Sequence, residues 1–94
     1  MKLQWSVLAL QDRNAIFDHI EQRDPAAAIR LDERIGQAVE TLAEFPWSGR
    51  SGRVDGTREL VISRTPFIAA YCVLDDAVRV LRILHGAQQW PDEV

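Results

Sequence analysis

The sequence predicts a single α+β domain in which two helices cover one face of a mostly antiparallel sheet. Two observations lead to this fold class. The stretch from Gly56 to Pro91 contains three strand-like runs that are separated by turn residues. The stretch before it, from Leu8 to Glu44, has the apolar spacing of helices. Because the middle strand-like run is almost entirely apolar, it needs a cover on at least one face, and the helices supply it.

The N-terminal half is expected to form one strand and two helices. Lys2 to Val7 alternates between apolar and polar residues, which predicts a strand beside either the last strand or the edge of the others. Residues 8–22 follow a helical period. Asp24 and Pro25 then predict a second helix start, with Asp24 as N-cap and Pro25 at the first helical position. We expect this helix to run to about Glu44.

Apolar residues at helical spacing indicate how this helical hairpin meets the sheet. Six aliphatic side chains are expected to pack against it: Ile16, Ile20, Leu31, Ile35, Val39 and Leu42.

The C-terminal half is expected to form a three-stranded antiparallel meander. Its strands are predicted at Arg58–Ser63, Phe67–Leu74 and Val78–His85. The breaks between them, Arg64-Thr65-Pro66 and Asp75-Asp76, carry turn residues. Residues 46–57 are rich in Gly, Ser and Arg and are predicted to be irregular.

Length, charge and cysteine usage restrict the class of protein. The 94 residues suffice for one small domain, residues 1–94, with one core. The only cysteine, Cys72, cannot form an internal disulfide, and we expect it to be a small buried side chain in a reducing, cytoplasmic setting. A net charge of −3 argues against a protein that coats the nucleic acid backbone. No apolar run approaches the roughly 18 residues of a membrane span.

Few residues carry obvious chemistry. Two histidines and one cysteine are a poor set for a metal site, and we expect neither a metal nor a cofactor. Glu59 is the lone carboxylate in the first strand of the meander. The remaining candidates are strand arginines with His85 and Trp90. If alternation is unbroken, Arg79 shares a strand face with His85, and Arg82 lies on the other face.

The strings GTRELVI, PFIAAYCV and VRVLRILHGAQQWP, together with the order of elements, resemble the RelE/ParE family of toxins from bacterial type II toxin–antitoxin modules. The ending ILHGA followed by Trp-Pro is most similar to the ParE-type branch. The resemblance implies a growth-inhibiting toxin that a cognate antitoxin neutralises, wrapping it with a C-terminal helix and strand. Because the chain itself is acidic, we expect any contact with DNA to be made only through the antitoxin.

The two branches of the family imply different targets. RelE-type members cut mRNA on the ribosome, whereas ParE-type members poison DNA gyrase and need no nuclease site. Ile68 stands where RelE-type members carry an arginine, and their C-terminal tyrosine is also missing. We therefore expect a gyrase poison that is not an enzyme. The alternatives are a ribosome-dependent mRNA endonuclease using Arg58, Arg82 and His85, and a non-toxic, antitoxin-binding co-repressor.

Contacts with the target or the antitoxin are expected from arginine and aromatic side chains. The candidates are Trp47, Arg58, Arg64, Arg79, Arg82, His85 and Trp90. Trp47 is the preferred anchor because it lies in the irregular stretch, where core packing explains it least. The alternative is that Trp47 simply packs against the end of the second helix.

Overall fold

The computed structural model describes residues 1–94 and contains the predicted order of strand, two helices and strands. The strands are β1 (Lys2–Trp5), β2 (Arg50–Ser51), β3 (Arg58–Val61), β4 (Phe67–Val73) and β5 (Ala77–His85). The helices are α1 (Val7–Glu21) and α2 (Pro25–Glu40), and a 3₁₀ turn, Thr41–Ala43, follows α2. None of the helices is both long enough and apolar enough to cross a membrane.

Local signals set where both helices begin. The Ser6 side chain accepts a hydrogen bond from the Ala9 backbone N–H at the start of α1. Asp24 does the same for Ala27 at the start of α2, and Pro25 occupies the first helical turn, as predicted. Helical structure including the 3₁₀ turn then reaches Ala43.

The sheet has five strands in the order β1-β5-β4-β3-β2. β1 runs parallel to β5, with Leu3 opposite Val78, so the first strand lies beside the last one. The meander β3-β4-β5 is antiparallel, as predicted. The two-residue strand β2 was not predicted; it lies in the irregular stretch and pairs with β3 through Arg50 opposite Glu59.

The core lies between the helices and one face of the sheet. Ile35, Val39 and Leu42 are completely buried, while Ile16 and Leu31 pack half-buried against the core. Ile20 is half-buried as well. On the sheet, the core side chains come from β3, β4 and β5: Leu60, Ala69, Tyr71, Val78, Val80 and Ile83.

A bulge in β5 changes which face its residues present. Ala70 lies opposite Arg82 whereas its neighbour Tyr71 lies opposite Val80, so Leu81 has no partner on β4. Val80 therefore faces the helices, and Arg82 lies on the opposite side, which we call the helix-free face.

Two sequence predictions fail because of this geometry. Arg79 and His85 do not share a face: Arg79 lies between the core residues Val78 and Val80, whereas His85 lies opposite Phe67, which packs on the core. The prediction was wrong because it assumed unbroken alternation. Cys72 is half-buried rather than buried, since it lies on the helix-free face opposite Arg79.

Candidate functional site

Arg82 is held by a carboxylate of α1. Its Nε and Nη2 atoms donate to Asp12 Oδ2 and Oδ1 at 2.7 and 2.9 Å, which makes a bidentate ion pair. Both side chains are mostly shielded from solvent. These hydrogen bonds raise the pKa of Arg82, outweighing the opposite effect of burial. This arginine, one of the three named for mRNA cleavage, is thus engaged inside the molecule.

The same carboxylate closes an edge of the sheet. β1 ends at Trp5, so the outer edge of β5 is unpaired beyond that point. Asp12 accepts from the Ile83 N–H at 3.0 Å, and the Ser6 hydroxyl donates to the Leu81 carbonyl at 2.8 Å. The His85 N–H donates to the Gln88 side chain at 2.8 Å. Side chains therefore satisfy this edge in place of a neighbouring strand.

Arg58 is engaged by the loop that follows the 3₁₀ turn. Its Nη2 donates to the carbonyl of Trp47 at 3.1 Å and to the carbonyl of Gly49. The guanidinium also lies 5.3 Å from the centre of the Trp47 ring. Its Nε is buried without a partner.

Tyr71 fixes that loop from the sheet side. Its hydroxyl donates to the Pro46 carbonyl and accepts from the Gly49 N–H, both at 2.9 Å. The loop exposes 58% of Phe45 and 64% of Trp47. Trp47 is therefore not a core residue. We call residues 45–49 the aromatic loop.

Glu59 organises a charged cluster on the helix-free face that sequence reasoning missed. It is 2% exposed and is the one buried charged residue. Arg50 Nη2 lies 3.0 Å from Glu59 Oε1, while Arg53 donates its backbone N–H to Oε2 at 2.7 Å. The Arg53 guanidinium stacks 3.7 Å from the centre of the Trp90 ring. A glutamate on an otherwise alternating strand, preceded by nearby arginines, was the available signal.

The end of β5 folds around His85. The His85 Nδ1 accepts from the Ala87 N–H at 3.1 Å, and the ring meets Phe67 edge-on with centroids 5.6 Å apart. The Trp90 indole donates to the His85 carbonyl at 3.2 Å.

The three residues named for cleavage do not come together. Arg82 lies on the helix-free face and His85 on the helix side. Arg58 lies opposite Tyr71 and His85 opposite Phe67. Phe67 and Tyr71 are four positions apart on β4, which is about 13 Å at the rise of a strand.

The remaining predicted arginines are exposed. Arg79 Nε donates to the Gln4 side chain at 3.1 Å on the helix-free face. Arg64 has a φ of 64° in the turn between β3 and β4. Together with Arg34 of α2 it lines a groove of about 610 Å³ beside β3.

This groove runs along an unpaired sheet edge. The Ile62 N–H bonds to Phe67 on β4, so alternate residues of β3 direct their backbone groups away from β4. The backbone N–H and C=O of Glu59 that point away from β4 pair with β2. Val61 lies beyond the end of β2, so its outward backbone groups have no neighbouring strand. A smaller groove of about 280 Å³ shares Leu60 and Val61 and continues to Ser48. We call this the β3-edge groove.

Comparison with known proteins identifies the family. Residues 3–90 match the family model of the ParE toxin of type II toxin-antitoxin systems, parDE. The chain belongs to the ParE toxin family. It is 46% identical over 90 residues to the toxin Y4kP of Sinorhizobium fredii, covering 96% of this chain and 93% of that protein.

Two further relatives place the toxin in the wider RelE/ParE family. Toxin RelE2 of Caulobacter vibrioides is 40% identical over 84 residues, covering 89% of this toxin and 93% of the relative. The chromosomal ParDE system of P. aeruginosa provides a solved structure with a TM-score of 0.81 and 32% identity. The alignment covers 88% of this toxin and 92% of that chain. The resemblance inferred from the sequence is confirmed.

Proposed function

We propose that this toxin arrests growth by poisoning DNA gyrase and that a cognate antitoxin neutralises it by binding in the β3-edge groove. The observation that favours gyrase over mRNA cleavage is the separation of Arg58, Arg82 and His85. General acid–base cleavage needs its groups within hydrogen-bond reach of one substrate. Here Arg82 lies on the helix-free face, whereas Arg58 and His85 lie apart on the other face, and both arginines donate to other groups of the toxin.

The proposed contacts with the target are side chains that the fold holds at the surface. Trp47 is exposed on the aromatic loop, which hydrogen bonds from Tyr71 and Arg58 fix before any partner arrives. Such preorganised aromatic groups suit a binding hot spot because little side-chain freedom is lost on association. The second proposed contact is the C-terminal segment, residues 86–94, on which Trp90 lies. Gyrase itself is proposed from the family resemblance.

The proposed antitoxin site follows from the contrast between the two sheet edges. At the outer edge of β5, side chains form hydrogen bonds with the exposed backbone groups. At the edge of β3, the outward backbone groups of Val61 have no strand beside them and face a long groove. An added strand satisfies such groups with main-chain hydrogen bonds. Arg34 and Arg64 line the same groove, so we propose that the antitoxin segment is extended and acidic.

A pair of assays on the isolated toxin tests the target. We expect inhibition of gyrase supercoiling with accumulation of DNA breaks, while cell-free translation leaves mRNA intact. His85→Ala should be nearly silent in both assays, because a gyrase poison does not need the general acid–base group that a nuclease would require. Removal of residues 88–94 should weaken gyrase inhibition.

Specific cleavage of ribosome-bound mRNA by the toxin would overturn the gyrase proposal in favour of the nuclease. Expression without antitoxin should arrest growth. Unimpaired growth at verified expression would favour the non-toxic co-repressor instead.

A further inference from the structure

We infer that Arg53, fixed by Glu59, is a positioning residue that docks the C-terminal segment on the helix-free face. Its functional consequence rests on the proposed function, in which that segment contacts the target. The docking itself is a property of the isolated toxin and is tested separately.

Glu59 fixes Arg53 at two points. Its Oε2 accepts the Arg53 backbone N–H at 2.7 Å and lies 3.5 Å from the Arg53 Nε. Because Glu59 is buried, it holds these donors in one geometry and is not available to solvent. Arg50 occupies the other oxygen, at 3.0 Å, so the carboxylate serves two arginines of which only Arg53 reaches Trp90.

Trp90 is the last anchor of the segment. The Gly86 N–H donates to the Pro66 carbonyl at 2.8 Å, and the Gln88 N–H donates to the His85 carbonyl at 3.1 Å. Beyond Gln88, the hydrogen bonds and cation–π contacts of the segment all belong to the Trp90 indole, which meets the His85 carbonyl and the Arg53 guanidinium. Of the two partners of Trp90, Arg53 is the one that comes from outside the end of β5.

The start of the segment lies against a buried apolar layer on the face without helices. Ile68, Ala70 and Leu84 lie on the helix-free face, yet they are 6%, 1% and 3% exposed. The backbone at Gly86 reaches this layer, since a Cβ there would lie 3.2 Å from Ile68 Cδ1. The segment thus covers apolar surface, and the stack of Arg53 on Trp90 sets its position there.

A matched pair of substitutions isolates the stack. Arg53→Ala and Arg50→Ala each remove one arginine from Glu59, but only Arg53→Ala removes the partner of Trp90. The readouts are the indole N–H resonance of Trp90 and hydrogen exchange of the amides of residues 87–90 in the full chain. Thermal stability of both variants is measured alongside.

We expect Arg53→Ala to shift the indole N–H resonance of Trp90. We also expect it to speed hydrogen exchange in the segment by roughly 2- to 30-fold, the ratio that corresponds to the free energy of one cation–π contact. Arg50→Ala should leave both readouts unchanged. Trp90→Ala should speed exchange at least as much as Arg53→Ala. Equal release of the segment by both arginine variants, or by neither, would overturn the inference.

Gyrase inhibition separates this inference from the proposed function. Loss of potency in Arg53→Ala but not in Arg50→Ala supports both. Release of the segment without any loss of potency supports the positioning role and refutes the segment as a target contact.

Discussion

Tyr71 and Arg58 determine the shape of a loop in which neither residue lies. The hydroxyl of Tyr71 binds the backbone on both sides of Trp47, and Arg58 takes two loop carbonyls. Gly49 completes the arrangement because its backbone passes directly over the hydroxyl. Tyr71, on an apolar strand, and Arg58, a candidate for binding or cleavage in the sequence, therefore hold the loop that carries the exposed Trp47.

Gly49 provides the prediction at this scale. A Cβ at position 49 would lie 2.6 Å from the Tyr71 hydroxyl oxygen and 2.7 Å from the Glu59 carbonyl. Gly49→Ala should therefore cost about 1–3 kcal/mol of unfolding free energy, the usual cost of overpacking. Chemical denaturation measures it. In a Tyr71→Phe background the added cost should be smaller, and an equal cost in both backgrounds would show that the hydroxyl contact is not responsible.

Among the elements, α2 makes the clearest division between core and solvent. Ile35 is completely buried, whereas Ile29 of the same helix is 51% exposed. Ile35→Ala should cost about 2–5 kcal/mol, because it removes buried methyl groups and leaves a cavity. Ile29→Ala is the matched control and should stay within about 0.5 kcal/mol of the unaltered toxin, as surface substitutions do. Similar melting temperatures for both variants would contradict the assigned face of α2.

Elements defined by local chemistry could be predicted from the sequence, and those defined by distant partners could not. Asp24 and Pro25 mark the start of α2 because capping involves only neighbouring residues. The bulge at Leu81 depends on how β5 pairs with β4, so alternation within β5 alone does not reveal it. The place of β1 depends on residues about 75 positions away, as in Trp5 opposite Val80.

The candidate site follows the same division. Arg58, Arg82 and Trp47 were recognised as unusual, but the partners of the two arginines, Gly49 and Asp12, lie elsewhere in the sequence. Trp47 likewise meets Arg58, which lies eleven positions away. Because the sequence does not reveal these partners, it does not predict whether each arginine side chain is exposed to solvent or held inside the molecule.

At the scale of the whole molecule, the charged surface distinguishes two sides of the sheet. Arg64 lines the β3-edge groove, and Arg79 lies exposed on the helix-free face. Arg64→Glu should slow association with the cognate antitoxin and weaken binding, because it reverses a charge in the proposed acidic-segment site. Arg79→Glu makes the same charge change outside the groove and should have little effect. Surface-binding kinetics at two salt concentrations measure both, and equal effects would remove the groove as the antitoxin site.

The parallel pairing of β1 with β5 has a consequence for synthesis. The ribosome releases β1 first and β5 last, at about 5–20 residues per second, so β1 waits seconds for its neighbour. β5 is also the neighbour of β4, and the sheet cannot close before it emerges. Long-range pairing of this kind slows folding further. Nascent chains interrupted before residue 77 therefore lack β5 and cannot form the complete sheet.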